Sequence, residues 1–239
     1  MLTHRIESGP WFAGLSVELR QSILARTRVR HVARGAALVH RGAQATDWIG
    51  VASGALRLGA CGPDGRAFAL ELLSPGEWYG DIALIDGNPS DLEIHAHVAS
   101  TLLLVPKAEL RQLVQGSQEL QQAFLQLNCR RLRHLFRRLE EIHTLPLAQR
   151  VALQVKRLTR QFGRSTPQGL VLDLAISQGD LADLLCASRQ RVNSVLRQMQ
   201  ARGVLAEGHA RIVVADTEQL AALAAGRTVL TRVAEAALR

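Results

Sequence analysis

The stretch ISQGDLADLLCASRQRVNSVLRQMQARGVL, residues 176–205, decides how the second half of this chain is built. Ser177 is a good N-cap for a short helix, and small residues follow at 186–188, where two helices need a tight turn. Ser188 caps the next helix, whose apolar residues recur at spacings of three and four. The residues expected to face inward are Leu181, Leu184 and Leu185, then Val192, Val195, Leu196 and Met199. The pattern predicts a helix-turn-helix.

The opposite face of the second helix is polar and basic. Arginine side chains suit guanine, Gln and Asn suit adenine, and Ser and Arg suit phosphate oxygens, so this face predicts DNA recognition. The predicted DNA-binding residues are Ser177, Gln178, Ser188, Arg189, Gln190, Arg191, Asn193, Ser194 and Arg197. The following VLAEGHARIVVAD predicts two strands around Gly208 and His209, which form a wing.

Residues 36–106 have a different pattern, with short apolar stretches that Gly, Asp and Pro interrupt every 8 to 12 residues. This spacing predicts an antiparallel sandwich or roll. The clearest hairpin spans residues 56–72, with GPDGR as its turn. Residues 14–33 instead predict a short helical segment with Leu15, Leu19, Ile23 and Leu24 on one face.

Helical periodicity returns after Pro106. We expect a short helix over 107–114, a break at Gly116, and a long helix that Ser117 caps and that runs to about His143 before Pro146. A helix of roughly 40 Å is hard to cover within one small domain, so its apolar stripe predicts a dimer seam. The predicted seam residues are Leu125, Asn128, Leu132, Leu135, Leu139 and Ile142. A second helix over 147–162, a loop at GRSTPQG and a strand at GLVLDLA complete the pattern.

Composition narrows the class of protein. The formal net charge of +8 favours a polyanionic partner, although the basic residues are almost all arginine, which a GC-rich genome also produces. No apolar run reaches the roughly 18–20 residues of a membrane span, and the N-terminus lacks a secretory signal, so we expect a cytoplasmic protein without a membrane partner. Residues 217–239 contain only three arginines and predict a docked C-terminal helix.

Catalytic and metal-binding patterns are absent from the sequence. It contains no GxSxG, HExxH, Walker loop or GxGxxG motif, so we expect no enzyme activity. Cys61, Cys129 and Cys186 are too far apart in sequence for a metal-site motif, and we expect all three to be buried. An alternative to a regulator remains open, namely a nucleotide-independent protein-interaction module with only non-specific DNA affinity.

Residues 14–215 resemble the cyclic-AMP receptor protein and fumarate–nitrate regulator (CRP/FNR) family of bacterial transcription regulators. SPGEWYGDIALIDGNP resembles its phosphate-binding cassette, residues 117–143 its dimerisation helix, LAQRVA the start of its DNA-binding domain, and SRQRVNSVL its recognition helix. The resemblance implies a homodimer that binds palindromic double-stranded DNA, with RNA polymerase and an unknown small effector as further partners. It also implies that Arg189, Gln190 and Ser194 contact bases and phosphates.

The expected architecture is α+β. It comprises a cyclic-nucleotide-binding-like β-roll over residues 1–115, a dimerisation helix over 116–145, and a winged helix-turn-helix domain with a C-terminal tail over 146–239.

The ligand-binding residues of the family are only partly retained. Its Arg-Ser pair for the cyclic phosphate falls on Ser90 and Asp91, and its Thr-Ser pair for adenine falls on Leu135 and Phe136. Each lost charge-assisted hydrogen bond costs on the order of 1.5–3 kcal/mol, so we expect no cyclic AMP binding in the usual way. The predicted effector-pocket residues are Gly80, Asp81, Ile82, Ser90, Asp91, Arg131, Leu135 and Phe136.

The altered pocket suits a neutral or cationic, partly hydrophobic molecule, or no ligand. Two roles remain open for Arg131, which either meets an anion or pairs with Asp91. The cysteine cluster of oxygen-sensing members is absent, and His95, His97 and His134 are more simply structural than haem ligands, so we expect no haem and no metal.

Overall fold

The structure is a computed structural model, and it describes residues 4–62, 67–167, 169–207 and 211–230. The chain forms two compact units, Met1–Leu135 and Phe136–Arg239. The division falls inside the longest helix, whereas the sequence predicted a separate helical segment over 116–145 between two domains. Each unit is described by itself.

The first unit begins with three short helices, α1 (His4–Glu7), α2 (Pro10–Ala13) and α3 (Val17–Leu24). Leu15, Leu19 and Ile23 are buried, which confirms the predicted apolar face. The later part of the predicted helical segment is wrong, because residues 28–32 form strand β1. All five of these residues pair with strand β8, and this tertiary pairing overrides the local preference of the segment.

In the described part of this unit, eight strands form two antiparallel sheets. The strands are β1 (Arg28–Val32), β2 (Ala37–Val39), β3 (Asp47–Ser53), β4 (Leu56–Cys61), β5 (Ala67–Leu73), β6 (Trp78–Tyr79), β7 (Glu93–Ala96) and β8 (Ser100–Pro106). One sheet has the order β1-β8-β3-β6 and the other β2-β7-β4-β5. Val51, Leu58 and Leu102 lie in a core to which both sheets contribute. The predicted β-roll is confirmed.

Strands β4 and β5 form the predicted hairpin. Leu56 is opposite Leu73, and Cys61 is opposite Ala67. The register shifts at Gly59, where an added Cβ would collide with the Phe68 carbonyl oxygen, so glycine permits the close approach at this bulge. The turn residues 63–66 lie outside the described residues.

Helices α4 (Asp81–Asp86), α5 (Lys107–Gly116) and α6 (Gln118–Thr144) complete the helices that begin in this unit. The Ser117 hydroxyl accepts a hydrogen bond from the Leu120 amide at 3.1 Å, which confirms the predicted cap of the long helix. Helix α6 ends just before Pro146, also as predicted, because proline has no amide hydrogen to continue the helix.

Aromatic rings pack the first turns of α6 against the roll. Trp48 and Trp78 are stacked with ring centroids 4.2 Å apart, and Trp11 meets Trp48 edge-on at 5.6 Å. Phe124 of α6 stacks on Trp11 at 5.5 Å, and Trp11 Nε1 donates to the Ala123 carbonyl oxygen at 3.1 Å. Because such ring pairs contribute about 0.5–1.5 kcal/mol each beyond the area they bury, this cluster anchors the start of α6 in the first unit.

The second unit contains the end of α6 and then α7 (Leu147–Phe162), β9 (Gly163–Thr166), β10 (Gly169–Leu172), α8 (Gln178–Leu185), α9 (Arg189–Ala201), β11 (Val213–Val214) and α10 (Thr217–Ala224). Its sheet has the order β11-β10-β9. The predicted loop at GRSTPQG is wrong in its first half, because residues 163–166 pair with β10 as a strand. Three of its four residues are exposed, so no apolar alternation marks β9 in the sequence.

The predicted C-terminal helix over residues 217–239 is present only in its first part, as α10, and the described residues 225–230 that follow are not helical. Leu220 and Leu223 are buried, and the Gln149 side chain of α7 donates to the Ala224 carbonyl oxygen at 3.1 Å. These contacts dock α10 on its own unit. Residues 231–239 of the predicted helix lie outside the described residues.

The expectation that the cysteines are buried is wrong. Cys61, Cys129 and Cys186 are all exposed, at the end of β4, on α6 and directly after α8. The general preference of free cysteine for the interior is overridden here by where each residue falls on its element. Among the helices in the described residues, none has the length and apolar character needed to cross a bilayer.

Candidate nucleic-acid interface

Helix α8 begins with a complete capping box. The Ser177 hydroxyl accepts from the Asp180 amide at 3.0 Å, and the Asp180 carboxylate accepts from the Ser177 amide at 2.8 Å. Leu181, Leu184 and Leu185 are buried, as predicted. Ser177 itself is exposed, so the start of α8 presents a polar N-terminus to the surroundings.

Each of the last four carbonyl groups of α8 accepts a hydrogen bond. The Ala182 carbonyl accepts from the Ala187 amide at 3.0 Å, and the Asp183 carbonyl from the Cys186 amide at 3.4 Å. Arginine side chains donate hydrogen bonds to the other two carbonyl groups. Arg138 Nη2 donates to Leu184, and Arg150 Nη1 donates to Leu185 at 2.9 Å. Cationic donors at a helix C-terminus also interact favourably with the helix dipole.

Helix α9 separates an apolar face from a polar one. Val192, Val195, Leu196 and Met199 are buried, which confirms the predicted inner stripe. The Ser188 hydroxyl accepts from the Arg191 amide at 3.4 Å and caps the helix, as predicted. The exposed residues of the outer face are Arg189, Gln190, Arg191, Ser194 and Arg197. In the described ranges, no ion pair involves an arginine of this face, so its charge is available to an anionic partner.

Gln178 and Asn193 are in contact with each other. Gln178 Nε2 donates to Asn193 Oδ1 at 3.0 Å, which joins the start of α8 to the middle of α9. Among the predicted DNA-binding residues, these two are partly buried and mutually bonded, whereas the other seven are exposed. Sequence spacing gives no direct sign of this contact, because it depends on how the two helices cross.

The wing is only partly within the described residues. Leu205 forms a bridge with Val214, and the Ala206 amide donates to the Val213 carbonyl oxygen at 2.9 Å. Arg211 pairs with Asp173 beside this sheet. Gly208 and His209, the predicted tip, lie outside the described residues.

In the first unit, two of the predicted effector residues, Asp81 and Arg131, form a buried ion pair. Gly80 has a left-handed backbone (φ 101°) at the start of α4, and the next residue, Asp81, is fully buried. Arg131 Nη1 donates to both Asp81 carboxylate oxygens at 2.8 and 2.9 Å, and its Nη2 donates to the Trp78 carbonyl oxygen. Neither of the two predicted roles of Arg131 describes this contact, because the arginine pairs with Asp81 and not with Asp91 or an external anion.

Two residues of this region were missed in the sequence. The Arg131 guanidinium lies over the Tyr79 ring, 5.2 Å from its centroid. Burial raises the pKa of Tyr79 to about 12, Arg131 opposes this rise, and the carboxylates of Glu71, Asp81 and Asp91 add to it. Tyr79 and Glu71 therefore belong to the neighbourhood of Asp81 and Asp91. An aromatic residue next to the cassette glycine was the available signal for Tyr79.

The other predicted effector residues are placed as follows. The Ser90 hydroxyl donates to the Leu92 carbonyl oxygen at 2.8 Å, so its proton is already used within the chain. Ile82 and Asp91 are exposed on the first unit. Leu135 is the last residue of that unit and Phe136 the first of the next, and both are exposed.

The predicted seam residues of α6 fall into two groups. Leu125, Leu132 and Leu139 are 66%, 49% and 57% exposed, which is unusual for leucine. Asn128 instead points inward, since its Nδ2 donates to Asp81 at 3.0 Å and to the Phe124 carbonyl oxygen at 3.1 Å. Ile142 is partly buried, whereas Cys129 and Phe136 are exposed. The exposed apolar residues along this part of α6 are thus Leu125, Cys129, Leu132, Leu135, Phe136 and Leu139.

Two domain models match the chain. That of the cyclic nucleotide-binding domain covers residues 29–117, and that of the Crp-like helix-turn-helix domain covers residues 130–223. The chain belongs to the CRP/FNR family. Its position in this family agrees with the capped helix-turn-helix and the two-sheet roll described above.

Several CRP/FNR relatives resemble the chain over most of its length. It is 26% identical over 171 residues, 72% of this chain and 76% of that protein, to a CRP-like cAMP-activated global transcriptional regulator of Mycobacterium tuberculosis. It is 27% identical over 221 residues to the cyclic AMP receptor protein of Thermus thermophilus, covering 92% of this chain and 99% of that protein. The solved structure of the c-di-GMP-responsive regulator CLP of Xanthomonas campestris has the same fold, with a TM-score of 0.72 at 23% identity over 84% of this chain and all of that one.

The turn of this CRP/FNR helix-turn-helix generates a stability prediction. Cys186 has φ 49°, a left-handed conformation that costs a residue with a Cβ roughly 1–2 kcal/mol. Glycine avoids this cost, but it loses more conformational entropy on folding, which offsets part of the gain. We therefore expect Cys186→Gly to raise the free energy of unfolding of the second unit by about 0.5–1 kcal/mol. Urea denaturation followed by circular dichroism measures this change. Cys186→Ala, which keeps the Cβ, is the control, and a glycine variant no more stable than it would contradict the prediction.

Proposed function

We propose that this chain is a sequence-specific DNA-binding transcription regulator that binds a palindromic site as a homodimer. The observation that carries the proposal is the outer face of α9, where Arg189, Gln190, Ser194 and Arg197 are exposed on a helix fixed by its cap and buried stripe. Such a face fits the major groove, where Arg and Gln read base edges and Ser and Arg contact phosphates. The net charge of +8 supports a polyanionic partner.

The uncovered face of α6 supports the homodimer. Leu125, Leu132 and Leu139 repeat every seven residues, and Cys129 and Phe136 occupy the alternating positions between them. This is a heptad pattern in which a second copy of the same helix covers each leucine, as in a parallel coiled coil. The seam that we propose therefore keeps the three predicted leucines and replaces Asn128 and Leu135 by Cys129 and Phe136.

A twofold pair of this kind determines the form of the DNA site. Two recognition helices related by a twofold axis enter successive major grooves on one side of the duplex. The site is therefore a palindrome whose half-sites are about one helical turn apart. RNA polymerase is a further proposed partner, and the cytoplasm is the proposed compartment. No catalytic reaction is assigned, in line with relatives that are named as transcriptional regulators.

We propose that cyclic AMP is not an effector that binds in the usual way of the family. Ser90 stands where the family has its phosphate-capturing arginine, and Asp91 beside it adds negative charge. Arg131 is already engaged by Asp81 and the Trp78 carbonyl oxygen. Releasing Arg131 for a ligand would leave the fully buried Asp81 carboxylate with one fewer partner, which costs about 3–5 kcal/mol for a buried pair. The effector is therefore a neutral or cationic small molecule, or regulation proceeds without one.

The recognition helix is tested by Arg189→Ala. An arginine that reads a base or phosphate is worth roughly 1–3 kcal/mol, so affinity for a duplex selected from a random library falls about 5- to 150-fold, as measured by electrophoretic shift at fixed salt. Arg227→Ala removes the same charge from an exposed position after α10 and leaves specific affinity unchanged. Equal affinity of the Arg189 variant and wild type would refute the assignment of α9. Equal binding of selected and random duplexes by wild type would favour the interaction module with only non-specific DNA affinity.

The seam is tested by Leu132→Glu combined with Leu139→Glu. Burying two carboxylates against a second helix is strongly unfavourable, so this variant sediments as a monomer and loses palindrome binding. Gln126→Glu with Arg130→Glu places two carboxylates at exposed positions about 100° and 140° around α6 from the middle of the seam, and leaves a dimer. Wild-type protein that sediments as a monomer at micromolar concentration would contradict the seam.

A further inference from the structure

We propose that Arg138 determines which spacing between half-sites the dimer accepts, because it fixes the helix-turn-helix to the part of α6 that pairs with the second copy. This inference rests on the proposed function, namely a homodimer that binds a palindrome. It concerns only contacts within the second unit, Phe136–Arg239.

The Arg138 side chain joins three helices. Its Nη1 donates to Gln154 Oε1 on α7, and its Nη2 donates to the Leu184 carbonyl oxygen at the end of α8. Gln154 is only 5% exposed, so this contact is made inside the unit. Hydrogen bonds from a charged donor in such surroundings are stronger and more directional than exposed ones.

The contact at Leu184 acts directly on the reading helix. Leu184 is followed by the tight turn of residues 186–188, and this turn leads into α9 with no intervening flexible segment. Arg150 holds the neighbouring Leu185 carbonyl oxygen in the same way from α7. The last turn of α8, and with it the direction of α9, is therefore held by one arginine of α6 and one arginine of α7.

A second tether, between Arg157 of α7 and Glu141 of α6, lies close to the first in sequence. Both Arg157 nitrogens Nη1 and Nη2 donate to the two Glu141 oxygens, a bidentate pair between partly buried side chains. This pair fixes α7 to the end of α6. Arg138 thus links α6 directly to the last turn of α8.

The same turns of α6 carry part of the proposed seam. Phe136 and Leu139 are 60% and 57% exposed, and they flank Arg138 in sequence. At about 100° per residue, both side chains project from a different side of the helix than Arg138 does. The second copy of α6 therefore contacts one side of this short stretch, and the helix-turn-helix contacts another side through Arg138. Arg138 thus couples the arrangement of the two copies of α6 to the direction of α9.

Half-site spacing is the property most sensitive to this link. Adding one base pair moves a half-site by about 3.4 Å and rotates it by roughly 35° around the duplex axis. A helix-turn-helix that Arg138 holds rigidly cannot adjust to this shift and rotation. One that has lost the Arg138 contacts can reorient to fit the displaced half-site. Loss of Arg138 therefore broadens the accepted spacing, while the bases read within each half-site stay the same.

The experiment measures the affinity of wild type and Arg138→Met for palindromes with the selected spacing and with one or two base pairs added or removed. We expect wild type to prefer the selected spacing on the order of tenfold, the size of one lost base contact, and Arg138→Met to reduce this ratio to about threefold or less. A ratio between sites is independent of the amount of folded protein, so a purely structural loss of stability does not move it.

Arg137→Met is the matched control. It removes the same charge from the adjacent, exposed position and should keep the wild-type ratio. If Arg138→Met melts below the assay temperature, Arg138→Met combined with Gln154→Met is measured instead, because it removes both members of the Arg138–Gln154 hydrogen bond and leaves no buried glutamine amide without this partner.

A wild-type ratio in the Arg138→Met protein, or in this double variant, overturns the role of Arg138 while the proposed function stands. Wild type that prefers no palindrome overturns the proposed function, and the inference with it.

Discussion

Helix α6 must satisfy different surroundings along one continuous 27-residue segment, and this constraint governs the rest of the structure. One face, with Leu120 and Phe124, is buried in the first unit, and the end of the helix carries the contacts of the second. A third face exposes a row of leucines that neither unit covers. A contiguous stripe of exposed leucines at heptad spacing is typical of a helix–helix interface, which is the physical basis of the proposed homodimer.

Some arginine side chains of this protein make contacts that stabilise its units, and others supply the exposed positive charge that we propose binds DNA. Arg131 and Arg157 are bound to buried or partly buried carboxylates, and Arg138 and Arg150 cap helix α8. Removing one member of a buried pair costs about 3–5 kcal/mol, so these side chains are committed to holding their own units together. The arginines of α9 have no such commitment within the described residues. A high content of arginine is thus not in itself a DNA-binding surface, and the contacts of each residue decide its role.

The helix-turn-helix was predictable because its signals are local. Ser177 and Ser188 cap the helices that follow them, and the apolar residues mark the buried faces at helical spacing. Strand β1 was missed because it is identified by its pairing with the distant β8, and β9 because three of its four residues are exposed and show no apolar alternation. Backbone pairing of this kind leaves little trace in residue type.

The candidate sites show the same limit. Two heptad patterns share Leu125, Leu132 and Leu139, and the sequence favoured the one that includes Asn128. The choice depends on Asp81, which is distant in sequence and binds the Asn128 amide. Asp81 likewise binds Arg131, for which the sequence offered only Asp91 or an external anion. Buried carboxylates recruit donors by proximity in space, so their partners become visible only in the folded chain.

The most direct test of the central claim, that a second copy of α6 covers this face, uses the exposed Cys129. In a protein with Cys61→Ser and Cys186→Ser, Cys129 is the remaining thiol, and in a parallel helix pair it meets its own counterpart within the 4.4–6.8 Å between Cα atoms that a disulfide requires. Mild oxidation at micromolar concentration should give a covalent dimer on a non-reducing gel, and moving the thiol to the polar face, with Cys129→Ser and Gln126→Cys, should not. Equal cross-linking from both positions, or none from Cys129, would contradict the account.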